Sequence, residues 1–191
     1  MKRIILASAS PLRREIKQMI GMQFEEIVSN ADEMMNEELP VKERIIDIAR
    51  QKAKAVFDGN NDAIVIGCDT VVLVDDQILG KPKDKDQARE MFLAMRGREL
   101  IVLSAVCIMS EEETCCFADE TEVHFNDMSD EEIEEYISTE EPYDKAGAYA
   151  IQGRSGVFIR EIRGNYYNVV GLPVDRIYGY LKKRLSLFPG E

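Results

Sequence analysis

The sequence predicts an α/β protein: a single domain, residues 1–191, built on a mixed twisted sheet. Three observations carry this. β-rich runs and helical patterns interleave along the chain. Two long apolar runs, residues 99–109 and 114–125, flank a short acidic turn and so read as an antiparallel hairpin, which an all-parallel sheet would lack. No repeat, low-complexity tract or linker interrupts the 191 residues, a length that suits one core.

The elements follow in order. Residues 3–7 are apolar and short, a first strand. Ser10 reads as an N-cap and Pro11 as the first residue of a helix over 11–20, stopped by Gly21. Phe24 to Val28 reads as a second strand. Residues 40–57 form a strong helix opened by Pro40 and closed by Asp58-Gly59-Asn60. Its apolar stripe is Ile45, Ile48, Ala49, Ala53 and Val56. Residues 63–74 are a long β run, turned by Asp75-Asp76 into Gln77-Ile78-Leu79. A helix follows over 85–95, then the hairpin. Ser129 with Glu132 three residues on is a capping box that opens another helix. Residues 140–156 are loop-rich, and a loop that long in a compact domain is usually functional. A strand over 157–162 and a helix over 173–185 complete the chain.

Composition narrows the class. Apolar residues make up 45% and charged residues 31%, with a net charge of −12. A binder of nucleic-acid polymers needs a basic field, so this chain is expected to repel one. A small anion remains compatible if cations gather in a cleft. No apolar run reaches the 18 or so residues of a membrane span, and the N-terminus reads as a strand rather than a signal peptide. Of the four cysteines, at 68, 107, 115 and 116, none forms a C-x-x-C pair. Cys115-Cys116 is a poor disulfide candidate, and metal spacing is missing. A reducing cytoplasm is the expected location. The one histidine, His124, has no partner motif and reads as structural or exposed.

Three features break the local pattern. Arg13 and Arg14 stand in the first turn of a helix, the end that is already electropositive. Either both point to water at a cost of about 0.3–1 kcal/mol, or an anion sits there, held by free backbone N–H groups, an arginine fork and the hydroxyls of Ser8 and Ser10. Lys52 lies on the apolar stripe of the 40–57 helix. It either snorkels outward or enters a cleft to meet an anion. Asp69 interrupts an apolar strand, which is expensive unless the carboxylate is paired, binds metal, or is exposed by a bulge at Gly67. Lys81 follows the next turn, and strand geometry can return it towards Asp69. Cations beside a carboxylate are what phosphoryl transfer requires, because its catalysis is positioning and charge neutralisation.

The segments "LASASPLRREI", "IGCDTVVLV", "LGKPKD", "EPYDKAGAYAIQG" and "GNYYNVVGLPV" resemble, in order and over nearly the whole chain, the motifs of the Maf nucleotide pyrophosphatases, also called septum-formation inhibitors. The resemblance implies two lobes around a cleft, similar to the inosine triphosphate pyrophosphatases. It implies cleavage of a nucleoside triphosphate to monophosphate and pyrophosphate with a divalent metal, Mg²⁺ or Mn²⁺, and a homodimer. By the same resemblance Ser8 and Arg13 match the phosphate-binding turn, Lys52 and Lys81 the two lysines, and Asp69 the proton acceptor. Glu33 resembles an acid that helps Asp69 hold the metal. Thr70 and Gln152 match positions of base selection in the dTTP/UTP branch. Asp144 and Lys145 match a motif that serves either as a loop-ordering salt bridge or in direct contact. Leu12 departs from the pattern, since the dTTP/UTP branch has arginine there and the 7-methylguanosine triphosphate branch tryptophan. Gln152 still suits a pyrimidine, its amide offering one acceptor and two donors. The competing expectation is a nucleotide-binding regulator of division with little turnover.

Overall fold

The computed structural model describes residues 3–19 and 23–185. One seven-stranded mixed sheet runs through it, in the order β2-β1-β3-β5-β6-β7, with β4 also on β3. The strands are β1 (Ile4–Ala7), β2 (Glu25–Glu26), β3 (Ile64–Val74), β4 (Gln77–Leu79), β5 (Glu99–Met109), β6 (Thr114–Phe125) and β7 (Ile159–Arg163). β1 is parallel to β2 and β3, and all the other pairings are antiparallel. The helices are α1 (Pro11–Met19), α2 (Val41–Phe57), α3 (Lys85–Met95), α4 (Asp130–Ile137), α5 (Tyr166–Val170) and α6 (Val174–Leu185).

Alternation along the strands sends the cores to opposite faces. Val65 and Val71 of β3, with Leu103, Ala105 and Cys107 of β5, meet the stripe of α2, whose Ile45, Ala49, Ala53 and Val56 are buried as the spacing predicts. The other face carries two separate clusters. Ile64, Ile66, Val106 and Ile108 pack with Ile16 of α1 and Ile177 and Leu181 of α6. Val72, Val74, Leu100 and Val102 pack with Phe92 of α3 and Ile133, Tyr136 and Ile137 of α4. Phe92 is the hub of the second cluster, with Phe125, Tyr136 and Phe158 around it at 5.0–6.4 Å between ring centres.

Between these clusters lies a polar seam, and it gives the molecule its two lobes. The Thr70 and Ser104 hydroxyls meet at 2.8 Å, Ser104 donates to the Asn168 carbonyl, and the Asn168 amide donates to Val102 O and Thr121 Oγ1. α5 lies over the seam. Its N-cap Asn165 accepts from the backbone of Tyr167 and Asn168, and Gly171 ends it at φ 110°, a conformation that favours glycine.

Some expected elements shift. The second strand shortens to Glu25–Glu26. The strand expected from residue 157 begins at Ile159, because Arg154–Phe158 forms a 3-10 turn first. The loop-rich stretch contains further 3-10 turns at Glu141–Asp144 and Ala146–Ala148. The expected capping box of Ser129 and Glu132 is present in both directions. The expected stop at Gly21 lies outside the described residues.

Candidate active site

β3 is forked along one edge. Its first half pairs with β1 as far as Ala7 opposite Gly67, and its second half pairs with β4 from Val72 opposite Leu79. Residues 68–71 therefore have no strand beside them on that edge, while β5 runs along the other. A cleft of about 440 Å³ opens at the gap. It receives the C-terminal end of β1, a parallel strand, and the residues that lead into α1, a common place for ligands in α/β sheets.

Lys52, Asp69 and Glu33 meet at one side of the cleft. Gly67 makes this possible: a Cβ there would lie 2.2 Å from Ala49 O and 2.6 Å from Ala53 N. Helix α2 thus rests directly on the β3 backbone, with small residues on both sides of the contact. Lys52 reaches past this contact and places its Nζ 2.7 Å from Asp69 Oδ1 and 3.1 Å from Glu33 Oε1. The Lys52 and Asp69 side chains are only 14% and 18% exposed, so their attraction is less screened than at the surface. The two residues that break their apolar patterns answer each other.

Arg13 is buried, and its guanidinium is largely committed to the protein. Nε donates to Gly171 O at 2.8 Å, Nη1 to Ser8 Oγ at 3.1 Å and Nη2 to Thr70 Oγ1 at 3.0 Å. At least three of the five N–H groups an arginine carries are thus spent on the protein itself. Arg13 thereby ties the turn after β1, the free edge of β3 and the end of α5 into one wall. Ser8 Oγ also accepts from the backbone of Ser10. Arg14 takes the surface alternative and pairs with Glu26 at 2.6 Å.

Across the cleft, Lys81, Asp144 and Lys145 form the rim. Gly80 O accepts from Gly147 N at 3.0 Å, which fastens the Lys81 segment to this loop. Lys81 is exposed and has no ion pair among the described residues. Asp144 pairs with Lys145, which also donates to Glu141 O, so the pair orders the loop and lines the cleft at once.

Much of the remaining lining is apolar, with Val72, Val102, Ala146, Val169, Val170 and Leu12, beside the hydroxyls of Ser10 and Ser29. Tyr149 joins it, with a buried hydroxyl that has no hydrogen-bond partner among the described residues. Burial pushes that hydroxyl's pKa up, so it stays a donor at neutral pH. Tyr149 was not among the residues the sequence singled out, since a tyrosine in a loop breaks no pattern. Gln152 is the converse: it is exposed and does not line the cleft. The turn from Ala150 to Gly153, closed by Gly153 N to Ala150 O at 2.9 Å and pinned by Ser155 at Ala150, holds it in solvent.

His124 is buried rather than exposed. Its Nδ1 lies 3.1 Å from Glu99 Oε1 and its Nε2 3.6 Å from Glu122 Oε2, so these three residues form a potential ligand cluster. Glu99 is six residues along β5 from Ala105, the partner of Asp69, about 20 Å at the rise of a strand. The cluster is separate from the cleft.

A split mixed sheet with cations and carboxylates at its fork defines an α/β protein built to hold a small anionic ligand, and the same fold recurs elsewhere. The solved Staphylococcus aureus Ham1 protein superposes with a TM-score of 0.57 at 13% identity, covering 95% of this chain and 99% of its own. Residues 3–184 match the family model described as Maf-like protein, and the chain belongs to that family. Among its relatives is the dTTP/UTP pyrophosphatase of Bacillus cereus strain G9842, 43% identical over 183 residues, 96% of each chain. The protein of that name from Bacillus cytotoxicus is also 43% identical with the same coverage.

Proposed function

We propose that the cleft hydrolyses the bond between the α- and β-phosphates of a nucleoside triphosphate, dTTP or UTP, releasing nucleoside monophosphate and pyrophosphate. The observation that carries this reading is the Lys52–Asp69–Glu33 group at the fork of the sheet. It stands in a chain 43% identical over 96% of its length to a dTTP/UTP pyrophosphatase. A site for nucleotide capture alone would gain nothing from two carboxylates beside its cations, which disfavours a regulator without turnover.

The residues divide the work along the cleft. Lys81 and Lys52 neutralise the phosphates, and Lys81 has no ion pair among the described residues to compete with them. Arg13 lends its positive charge and holds Ser8 and Thr70 in place. Lys52 occupies Asp69 Oδ1. The other carboxylate oxygen is then the one that orients the attacking water and accepts its proton as the bond to pyrophosphate breaks. The apolar lining with Leu12 takes the base. Thr70 lies between the two halves. Gln152, held outside, is not assigned a contact.

The two carboxylates fit an oxygen-liganded cation, because both approach one point, the Lys52 ammonium. Glu33, the more exposed of the two, would hold Mg²⁺ or Mn²⁺ together with the substrate's phosphates, since such ions prefer hard donors, and the ion would supply neutralisation of phosphate charge while Asp69 keeps its role as proton acceptor. No described helix is long and apolar enough to cross a membrane. A cytoplasmic, homodimeric enzyme with residues 1–191 as one domain is the accompanying proposal, and sedimentation tests the dimer.

The direct test incubates the protein with each common triphosphate and Mg²⁺ and quantifies the products. Monophosphate and pyrophosphate from dTTP and UTP are expected. Release of orthophosphate instead, or no cleavage of any triphosphate, overturns the assignment.

A further inference from the structure

The β5–β6 hairpin carries a second chemically distinctive group outside the cleft. Cys107 and Cys116 stand directly opposite in the ladder, with their Sγ atoms 2.7 Å apart. The turn fixes the type of pairing. Ser110 N donates to Glu113 O at 2.9 Å, so alternation makes Ile108–Cys115 a hydrogen-bonded pair and Cys107–Cys116 a non-hydrogen-bonded one. That is the pairing with the closer side chains, Cα atoms about 4.5 Å apart. It falls inside the about 4.4–6.8 Å that a disulfide spans. Both sulfurs lie on the face covered by α2, where the Arg50 guanidinium bonds to Cys116.

We propose that Cys116 and Cys107 form a peroxide-sensitive dithiol site that closes reversibly to an intramolecular disulfide, with Cys116 as the attacking thiolate and Cys107 as the resolving thiol. The two sulfurs differ as these roles require. Cys107 is fully buried, whereas Cys116 is partly exposed. The Cys107 contact and the Arg50 guanidinium pull the Cys116 thiol down, which favours the thiolate, the reactive form. Its bond to Cys116 and its burial push the Cys107 thiol up. Cys68 shows the contrasting case, buried, donating to Gly171 O at 3.3 Å and pushed up by burial.

The chemistry balances with a hydroperoxide as oxidant. The Cys116 sulfur attacks the terminal oxygen, the O–O bond breaks, and the alcohol or water leaves with one proton. Cys116, oxidised by two electrons, is then a sulfenic acid. The Cys107 sulfur attacks it, the S–O bond breaks, and hydroxide leaves with the Cys107 proton as water. Two thiols and one hydroperoxide become one disulfide, one alcohol or water, and one further water. A dithiol reductant reverses the bond by exchange.

The experiment treats the native protein with one equivalent of hydrogen peroxide, alkylates remaining thiols and maps the peptides. Two of the four thiols are expected to disappear into a 107–116 cross-link that dithiothreitol reverses. In Cys107→Ser, the dimedone-reactive sulfenic acid accumulates at residue 116. In Cys116→Ser, the fast peroxide reaction is lost. Alkylation of Cys116 shows a pH midpoint below that of an ordinary cysteine, and Arg50→Gln moves that midpoint upward. Four free thiols after peroxide, a cross-link through Cys115 or Cys68, or equal oxidation of wild type and Cys116→Ser overturns the proposal. The native mapping needs no variant, so a misfolded mutant does not decide the result.

Discussion

At the scale of single residues, charge placement is the decisive quantity. Asp69→Asn keeps the shape and the bond to Lys52 but removes the proton acceptor. Turnover of dTTP should fall by about 10²–10⁴-fold, while thermal unfolding and circular dichroism stay near wild type. Lys52→Ala does different damage, because it leaves Asp69 and Glu33 without the ammonium between them. A loss of about 10²–10³-fold in kcat is expected. Arg13→Lys tests the wall: lysine cannot hold Gly171 O, Ser8 and Thr70 together in a planar fork. That variant should lose stability as well as activity, visible as a lower Tm. Tyr149→Phe removes a buried hydroxyl that has no hydrogen-bond partner among the described residues. It should hold or raise Tm, since an unpartnered buried polar group is costly.

Elements set where those residues can stand. Gly67→Ala forces α2 away from β3, since the new methyl would lie 2.2 Å from Ala49 O. Overpacking of this kind costs about 1–3 kcal/mol, and denaturant titration should show it together with loss of pyrophosphate release. Most elements were legible in the sequence because their periods are long. The α2 stripe, the hairpin and the capping box follow directly from spacing. Helix α5 was not legible, since five residues, Tyr166–Val170, are too few for a helical period. Edge strand β2 shrank for the opposite reason, a plausible β run that tertiary pairing barely uses. Lys52 and Asp69 were legible as exceptions to their patterns. Arg13 was legible as a misplaced cation, but its three protein partners come from segments up to 158 positions away and no local pattern encodes them. Gln152 resembled a site residue by motif, and only the closed turn around it reveals that it faces solvent.

For the whole molecule, a net charge of −12 surrounds a cleft whose lysines are local exceptions. The field outside opposes a triphosphate's approach, so kcat/KM at low substrate should rise with moderate salt before screening weakens the site itself. Stopped-flow measurement across ionic strength checks this. Chelation of divalent ions should abolish turnover and leave the circular dichroism spectrum unchanged, since three apolar clusters hold the fold without them. The forked β3 has a mechanical consequence. The two lobes are not joined by a tether that can swing, because the same three long strands, β3, β5 and β6, run through both. Any narrowing of the gap must therefore flex strands that are hydrogen-bonded along their length. The enzyme should breathe like a stiff leaf spring, with small, fast and fully recoiling excursions rather than the wide swing of a hinged jaw.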